Sequence, residues 1–379
     1  MREKHMPRLN IAIVGAGMIG AVHRRAAMLA GAEVRGVCAS TPERSREVAD
    51  AWNLPRAYAG IDEVIADPQV QVVHVCTPNA LHKPYAQAAL GAGKHVVCEK
   101  PLATSIDDAE ALAETARRTG LVATVPFVYR YHPVVREARA RIAAGELGPL
   151  RLIHGSYLQD WLMDAGANNW RVDPRQGGPS RVFADIGSHW CDLVEWVGGQ
   201  RFAEVSAMFA TVVPERAASS RQSFTVAASG GAMDAVSSED VAAAMFRTSE
   251  GVLANVTVSQ VSPGRKNRLW FELDGSRASM SFDQEDSERL WLGYADHSMC
   301  FVRDPSAGSA EQRRLAVLPA GHAQGYAQCF EAFVADTYAA IRGERPDGLP
   351  TFDDGLRAAR ITDRVVASAA SRRWLDIEE

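Results

Sequence analysis

The chain has 379 residues, 47% of them hydrophobic, and carries 41 Lys and Arg against 46 Asp and Glu, a net charge of −5. That exceeds one ordinary domain and supplies apolar content for two sizeable cores. The near-balanced charge without single-sign blocks argues against a nucleic-acid surface, and no stretch approaches the ~18 uninterrupted apolar residues of a membrane span, so a cytoplasmic protein is expected. Six cysteines, Cys38, Cys76, Cys98, Cys191, Cys300 and Cys329, lack CxxC spacing. That pattern speaks against a zinc knuckle or redox pair and for buried free thiols, and no metal is expected.

From Asn10 to about Val125, short β-type runs alternate with helix-type segments, the pattern of a parallel sheet wound by right-handed crossovers. Five strands are predicted, at 11–14, 34–38, 72–76, 95–98 and 121–125. Helix starts are marked by Thr41 before Pro42 and by Thr104 or Ser105 before Asp107 and Asp108, and helix stops by Gly31, Gly93 and Gly120. The first strand runs into Gly15-Ala16-Gly17-Met18-Ile19-Gly20 and then a helical stretch, a setting that makes a loose glycine pattern a dinucleotide fingerprint. The first glycine permits the bend, the second admits a pyrophosphate, the third lets helix pack on strand, and the helix N-terminus offers N–H groups to the phosphates.

After Gly148-Pro149 the β-type runs lengthen, at 150–158, 203–213, 241–246, 252–259 and 269–273, with helices predicted at 183–197, 326–342 and 353–370. The fold class expected is α/β: an N-terminal Rossmann doubly wound parallel sheet, then a C-terminal α+β domain with a large, mostly antiparallel open sheet. The domains fall at residues 1–130, binding a dinucleotide, and 131–379, for substrate. The Ala-, Ser- and Gly-rich stretch 214–238 reads as a surface loop.

Two constellations carry chemistry. Lys100, in Glu99-Lys100-Pro101, sits at the carboxyl end of the fourth predicted strand, where open α/β sheets hold their ligands. Position alone equally describes a surface lysine. Asp185 and His189 lie four apart in the predicted helix, sharing a face at about 5–6 Å between Cβ atoms; the carboxylate would fix the imidazole tautomer and raise its basicity. The plain alternative is a helical ion pair.

The ordered set of the glycine turn, Thr77-Pro78-Asn79 with His82, Glu99-Lys100-Pro101, Arg130 with Pro133, and Asp185 to His189 resembles the Gfo/Idh/MocA family of glucose-fructose oxidoreductases and inositol dehydrogenases. The resemblance covers nearly the whole chain. It implies catalytic roles for Lys100, Asp185 and His189, and cofactor contacts from Gly15, Gly17, Met18, Ile19, Gly20, Thr77, Pro78, Asn79, His82, Glu99 and Lys100. Where the family often has three consecutive glycines, this chain has Gly177-Gly178-Pro179-Ser180-Arg181. Residues 157–162, 169–171 and 321–326 look like a sugar-oxidising branch, similar to levoglucosan and glycoside dehydrogenases. They imply substrate contacts from Tyr157, Gln159, Trp161, Trp170, Arg171 and His322, with Arg130.

At the end of the second strand the carboxylate position that would favour NAD is Ala39. Ser40, Thr41 and Arg44 beside it suit a 2′-phosphate, so the cofactor is NAD(P), leaning to NADP. The expected activity is hydride transfer between nicotinamide and a secondary alcohol carbon of a sugar, cyclitol or related polyol, in a homo-oligomer. Two alternatives stay open: an NAD-dependent glycoside hydrolase working by transient oxidation, and a non-catalytic dinucleotide-sensing protein, against which the intact Lys100, Asp185 and His189 set argues.

Overall fold

The computed structural model describes residues 8–217 and 232–377. By internal contacts the chain falls into two units. One comprises the chain to Ala103, Asp107–Pro126 and Phe330–Leu356; the other comprises Thr104–Ile106, Phe127–Cys329 and the chain from Arg357. The return of Phe330–Leu356 to the first unit leaves no trace in the sequence pattern.

The first unit is built on six parallel strands: β1 (Asn10–Val14), β2 (Glu33–Cys38), β3 (Arg56–Tyr58), β4 (Val72–Val75), β5 (His95–Cys98) and β6 (Ala123–Thr124), in the order β3-β2-β1-β4-β5-β6. This is the doubly wound arrangement expected. Between the strands run α1 (Met18–Leu29), α2 (Pro42–Trp52), α3 (Ile61–Ala66), α4 (His82–Gly91) and α5 (Ile106–Thr119). Five strands were expected and six form. The additional one, β3, has only three residues, too few for a period, and exists because Arg56, Ala57 and Tyr58 pair with Gly36, Val37 and Cys38. The predicted helix signals act as chemistry requires: Thr41 Oγ1 accepts from Arg44 N, and Gly31, Gly93 and Gly120 take positive φ of 81°, 76° and 66°.

In the second unit nine strands form one sheet: β7 (Leu150–Leu158), β8 (Phe202–Ala210), β11 (Val241–Thr248), β12 (Leu253–Ser259), β13 (Arg268–Gly275), β14 (Ala278–Asp283), β15 (Arg289–Tyr294), β16 (Ser298–Val302) and β17 (Leu375–Asp376). A separate pair, β9 (Glu215–Ala217) and β10 (Met233–Ala235), runs antiparallel. The sheet order is β16-β15-β14-β13-β7-β12-β11-β8-β17, and every neighbouring pair is antiparallel except β7 with β12. The β9–β10 pair corrects the reading of 214–238 as a loop throughout; residues 218–231 of that stretch lie outside the described residues.

The remaining α-helices among the described residues are α6 (Pro133–Ala143), α7 (Pro174–Gly177), α8 (Ser188–Gly198), α9 (Ala310–Leu315), α10 (Tyr326–Ile341) and α11 (Phe352–Ser371). Strand alternation decides which sheet face is covered: Ile153, Tyr157, Leu269, Phe271 and Leu273 are buried in one core with Trp190, Leu193 and Val194 of α8. Gly155 makes room for that packing, since a Cβ there would stand 2.4 Å from Trp190 Nε1, and the indole N–H donates to Trp270 O at 3.0 Å. The other face leaves Met208, Met245, Leu253 and Trp291 exposed. Among the cysteines, Cys300 is exposed on the edge strand β16, against the expectation of burial; the other five are buried and free.

Gly15 holds the first unit's turn together. Its φ is +104°, its N–H donates to Cys38 O at 2.8 Å, and a Cβ would stand 2.3 Å from Cys76 O. Gly15→Ala therefore combines backbone strain with a clash against main chain, and is expected to destabilise the fold by on the order of 1–3 kcal/mol. Urea unfolding monitored by circular dichroism measures this; an unchanged midpoint would show that the turn relaxes at no cost.

Candidate active site

In the first unit the glycine turn distributes its roles as the fingerprint requires. A Cβ on Gly20 would meet Gly15 O at 2.1 Å, so helix and strand touch there, whereas a Cβ on Gly17 would meet nothing within 4 Å. Gly17 is the N-cap of α1, with no side chain capping it and no acidic residue in the first turn. Met18 is exposed and Ile19 half-buried beside it. The open edge at Gly17 and these uncapped N–H groups fit a pyrophosphate.

At the end of β2, Ala39 N donates to Ser45 Oγ, Thr41 Oγ1 is engaged as the cap of α2, and Arg44 reaches Glu47 at 2.8 Å on an exposed surface. No carboxylate stands at Ala39. After β4, the Thr77 hydroxyl is buried without a hydrogen-bond partner, while Pro78 leads into a short 3₁₀ turn, Asn79–Leu81. His82 lies with Nδ1 2.7 Å from Pro101 O and Nε2 2.9 Å from Thr77 O. Burial draws its pKa down against the pull of those two carbonyls. One imidazole thereby ties the loop after β4 to the loop after β5, which contains the cis Lys100–Pro101 peptide. Lys100 is half-buried, and its N–H donates to Glu99 Oε2 at 3.1 Å.

The second unit contributes Asp185 and His189, but not from one α-helix. Phe183–Gly187 forms a π-helical turn that passes into α8. Such turns insert a residue into the ladder and re-aim side chains, often at functional sites. The Asp185 carboxylate accepts from Gln260 Nε2 at 2.8 Å and Arg171 Nε at 3.3 Å. His189 is 7% exposed and lies edge-on to Tyr129 and Phe127, with ring centroids 4.9 and 5.6 Å away.

Around it runs a connected set of neutral polar groups. The Tyr129 and Tyr157 hydroxyls are 2.6 Å apart; Tyr157 donates to Asn267 Oδ1 at 2.7 Å, which also accepts from Gln159 Nε2 at 2.7 Å, and Trp161 Nε1 donates to Gln159 Oε1 at 2.9 Å. Burial, with Tyr129 alongside, holds the Tyr157 phenol protonated far above its ordinary range. Trp170 stacks under the Arg171 guanidinium at 4.4 Å. Tyr157, Gln159 and Trp161 thus belong to one cluster, to which Gln260 links Asp185 with Arg171. Two predicted residues stand differently. The Arg130 guanidinium is buried in a two-bond pair with Asp192, and His322 is exposed; from its segment it is Tyr326 whose ring approaches Tyr129, at 6.2 Å.

Tyr129, Asn267 and Gln260 were not foreseen, since isolated Tyr, Asn and Gln residues far apart in the chain carry no spacing signal. Nor was the support of the altered loop. Ser180 Oγ, Arg181 N and Phe183 N all donate to the Glu239 carboxylate at 2.6, 3.0 and 3.1 Å, while the fully buried Arg181 and Arg216 both pair with Asp240. Glu239 caps the π-turn that carries Asp185. Among the described residues one group has metal-ligand composition, His154, Glu272 and Asp274, on the sheet face opposite α8, with His154 Nε2 3.5 Å from Asp274 Oδ2.

The family model described as the oxidoreductase family with NAD-binding Rossmann fold matches residues 9–127, and that of the GFO/IDH/MocA C-terminal domain matches 135–281. The chain belongs to the GFO/IDH/MocA oxidoreductase family. It is 32% identical to levoglucosan dehydrogenase of Pseudarthrobacter phenanthrenivorans over 99% of both chains. A levoglucosan dehydrogenase solved with NADH and L-sorbose superposes with a TM-score of 0.89 at 28% identity, over 99% of this chain and 100% of that one. D-xylose 1-dehydrogenase (NADP(+)) 2 of Haloferax volcanii is 29% identical over 68% of this chain and 78% of its own length.

His132, beside this cluster, is buried with neither ring nitrogen hydrogen-bonded, and burial lowers its pKa from 6.5 to about 4. Because the folded value lies below the unfolded one, the unfolded chain binds the proton more readily between them. Stability present above pH 6.5 is therefore lost as pH falls toward 4, by roughly 3 kcal/mol. His132→Phe is expected to flatten that slope in urea titrations at about pH 7 and pH 5; a variant losing as much stability as the parent would assign the loss elsewhere.

Proposed function

We propose that this oxidoreductase oxidises a secondary alcohol of an uncharged sugar, cyclitol or related polyol, passing the hydride to a nicotinamide cofactor. The observation that carries the reading is the intact set Lys100, Asp185 and His189 in a family member whose turn at Gly17 is open to a pyrophosphate. When bound, the cofactor supplies the hydride acceptor. His189 takes the hydroxyl proton as general base, Asp185 orients the segment that carries it, and Lys100 donates a hydrogen bond to the substrate oxygen and offsets charge developing there. Tyr157, Gln159, Asn267 and Trp161 form a neutral donor and acceptor set suited to sugar hydroxyls and an apolar sugar face. Arg171, already engaged by Asp185, is not offered to a phosphate. Both Lys100 and His189 come from motifs that the family resemblance ties to the active site.

For the cofactor we favour NADP. Ala39 leaves no carboxylate to repel a 2′-phosphate, Thr41 retains a hydroxyl hydrogen to donate, and the exposed Arg44–Glu47 pair is of the weak surface kind that yields to a phosphate. Copies of the chain are proposed to associate through the open sheet face, where Met208, Met245, Leu253 and Trp291 lie exposed.

His189→Ala and Lys100→Met are each expected to lower kcat by about 10²-fold or more, the former while leaving dinucleotide affinity nearly intact. A screen of sugars and polyols followed by absorbance of the reduced nicotinamide measures both. Turnover at the parent rate would remove these roles, and glycoside cleavage without net reduction would favour hydrolysis by transient oxidation. The same screen with both cofactors is expected to give higher kcat/KM with NADP, and Arg44→Ala to lose that preference; a preference for NAD in the parent chain contradicts the assignment.

A further inference from the structure

Glu99, the residue before Lys100, begins a buried chain of side chains whose other members, His23, His74 and Tyr338, have no part in the proposed reaction. Its Oε1 is 3.0 Å from His23 Nε2 of α1; His23 Nδ1 is 2.8 Å from His74 Nδ1 of β4; and His74 Nε2 is 2.9 Å from the Tyr338 hydroxyl of α10. His23, His74 and Tyr338 have no exposure and Glu99 has 7%, so solvent reaches the chain at the Glu99 end. Phe330 closes over the His23 ring at 4.7 Å. Glu99 Oε2 takes the Lys100 N–H, so one carboxylate is bonded to the histidines through one oxygen and to the Lys100 main chain through the other.

Two nitrogens facing each other at 2.8 Å share one hydrogen, and this restricts the chain to two arrangements. In the first, Tyr338 O–H donates to His74 Nε2, His74 Nδ1–H donates to His23 Nδ1, and His23 Nε2–H donates to the Glu99 carboxylate; the net charge is −1. Adding one proton turns the first two bonds around. His23 becomes a cation donating from both nitrogens, His74 accepts at Nδ1 and donates from Nε2 to the Tyr338 oxygen, and the net charge is zero. Burial, with His23 alongside, holds the His74 pKa far below its usual value, and the His23 bond keeps the Glu99 carboxyl low against the opposing effect of burial. In the second arrangement the added proton lies on the His23 ring, between Glu99 Oε1 and His74 Nδ1. The other titratable groups facing the chain are Cys76 and Cys98, whose buried thiols stay protonated, with His82 and Lys100 on the Glu99 side.

We propose that Glu99, His23, His74 and Tyr338 form a buried one-proton store whose charge sets the field at Lys100, with His23 and His74 as positioning residues for that lysine. This rests on the role given to Lys100 in the proposed reaction. Without the proton, a net anion stands next to Lys100 in the chain and strengthens the field that acts on its side chain; with the proton, that field is gone. Acid pH thus weakens turnover through the store in addition to any protonation of His189.

The test pairs two measurements on the full chain with dinucleotide bound: ring nitrogen-15 NMR titration of the histidines, and kcat/KM for the best polyol against pH. In the parent, His23 and His74 should shift together in one step, and a fall in kcat/KM should share its midpoint. His74→Leu deprives the buried His23 cation of its acceptor, so both midpoints should move to lower pH by about one unit. His74→Asn, whose amide turns either its N–H or its carbonyl toward His23, should restore them. Separate titration of the two rings, or a His74→Leu profile equal to the parent's, would overturn the proposal. Should His74→Leu fail to fold, the parent NMR step and the His74→Asn profile still decide it. Absence of polyol turnover in the parent would overturn the function reading alone, since the NMR step is read without substrate.

Discussion

Charge removed from water has to be matched, and in this protein the matching fixes the segments that carry the proposed chemistry. Asp240 is surrounded by Arg181 and Arg216, Asp192 by Arg130, and Glu99 by His23 and the Lys100 N–H. Losing one partner of such a pair leaves a buried, uncompensated charge that costs about 3–5 kcal/mol. The Lys100 loop and the turn before His189 are therefore both held by buried carboxylates rather than by apolar contact alone.

The same constraint explains how the chain departs from the triple glycine common in its family. Gly177 still needs to be glycine, because a Cβ would meet Arg171 O at 2.6 Å, and Gly178 keeps a positive φ of 97°. Ser180 and Arg181 then supply donors to Glu239, and Arg181 is fully buried on Asp240. The loop is anchored through these hydrogen bonds and ion pairs immediately ahead of the π-helical turn that carries Asp185. Rigid support of this kind holds reacting groups in place without further ordering at the moment of reaction.

Much of the first unit was readable because its signals are local. The strand-turn-helix at Gly15 to Gly20 and the cap at Thr41 depend on residues within a few positions of one another, and both form as their chemistry requires. The candidate site was readable only in part. Asp185 and His189 stand out by spacing, yet the π-turn between them changes the geometry that an α-helix would impose, and Arg130 turned out to be occupied by Asp192. Gln260 follows β12 and Asn267 precedes β13, and both reach Gln159 when those strands align on β7; Tyr129, from a 3₁₀ turn outside the sheet, joins them through Asn267.

Sequence by itself determined the doubly wound first unit, the family, and Lys100, Asp185 and His189 as the residues proposed to carry the chemistry, since periodicity, glycine stereochemistry and ordered motifs are properties of short stretches. Tertiary structure alone decided the partners of those residues. The Glu99–His23–His74–Tyr338 chain joins α1, β4, α10 and the loop after β5 across up to 264 positions of separation between bonded neighbours, and Arg181 meets Asp240 from 59 residues away. Such pairings are selected by what desolvation forces a buried polar group to find, and that is set by packing rather than by order along the chain.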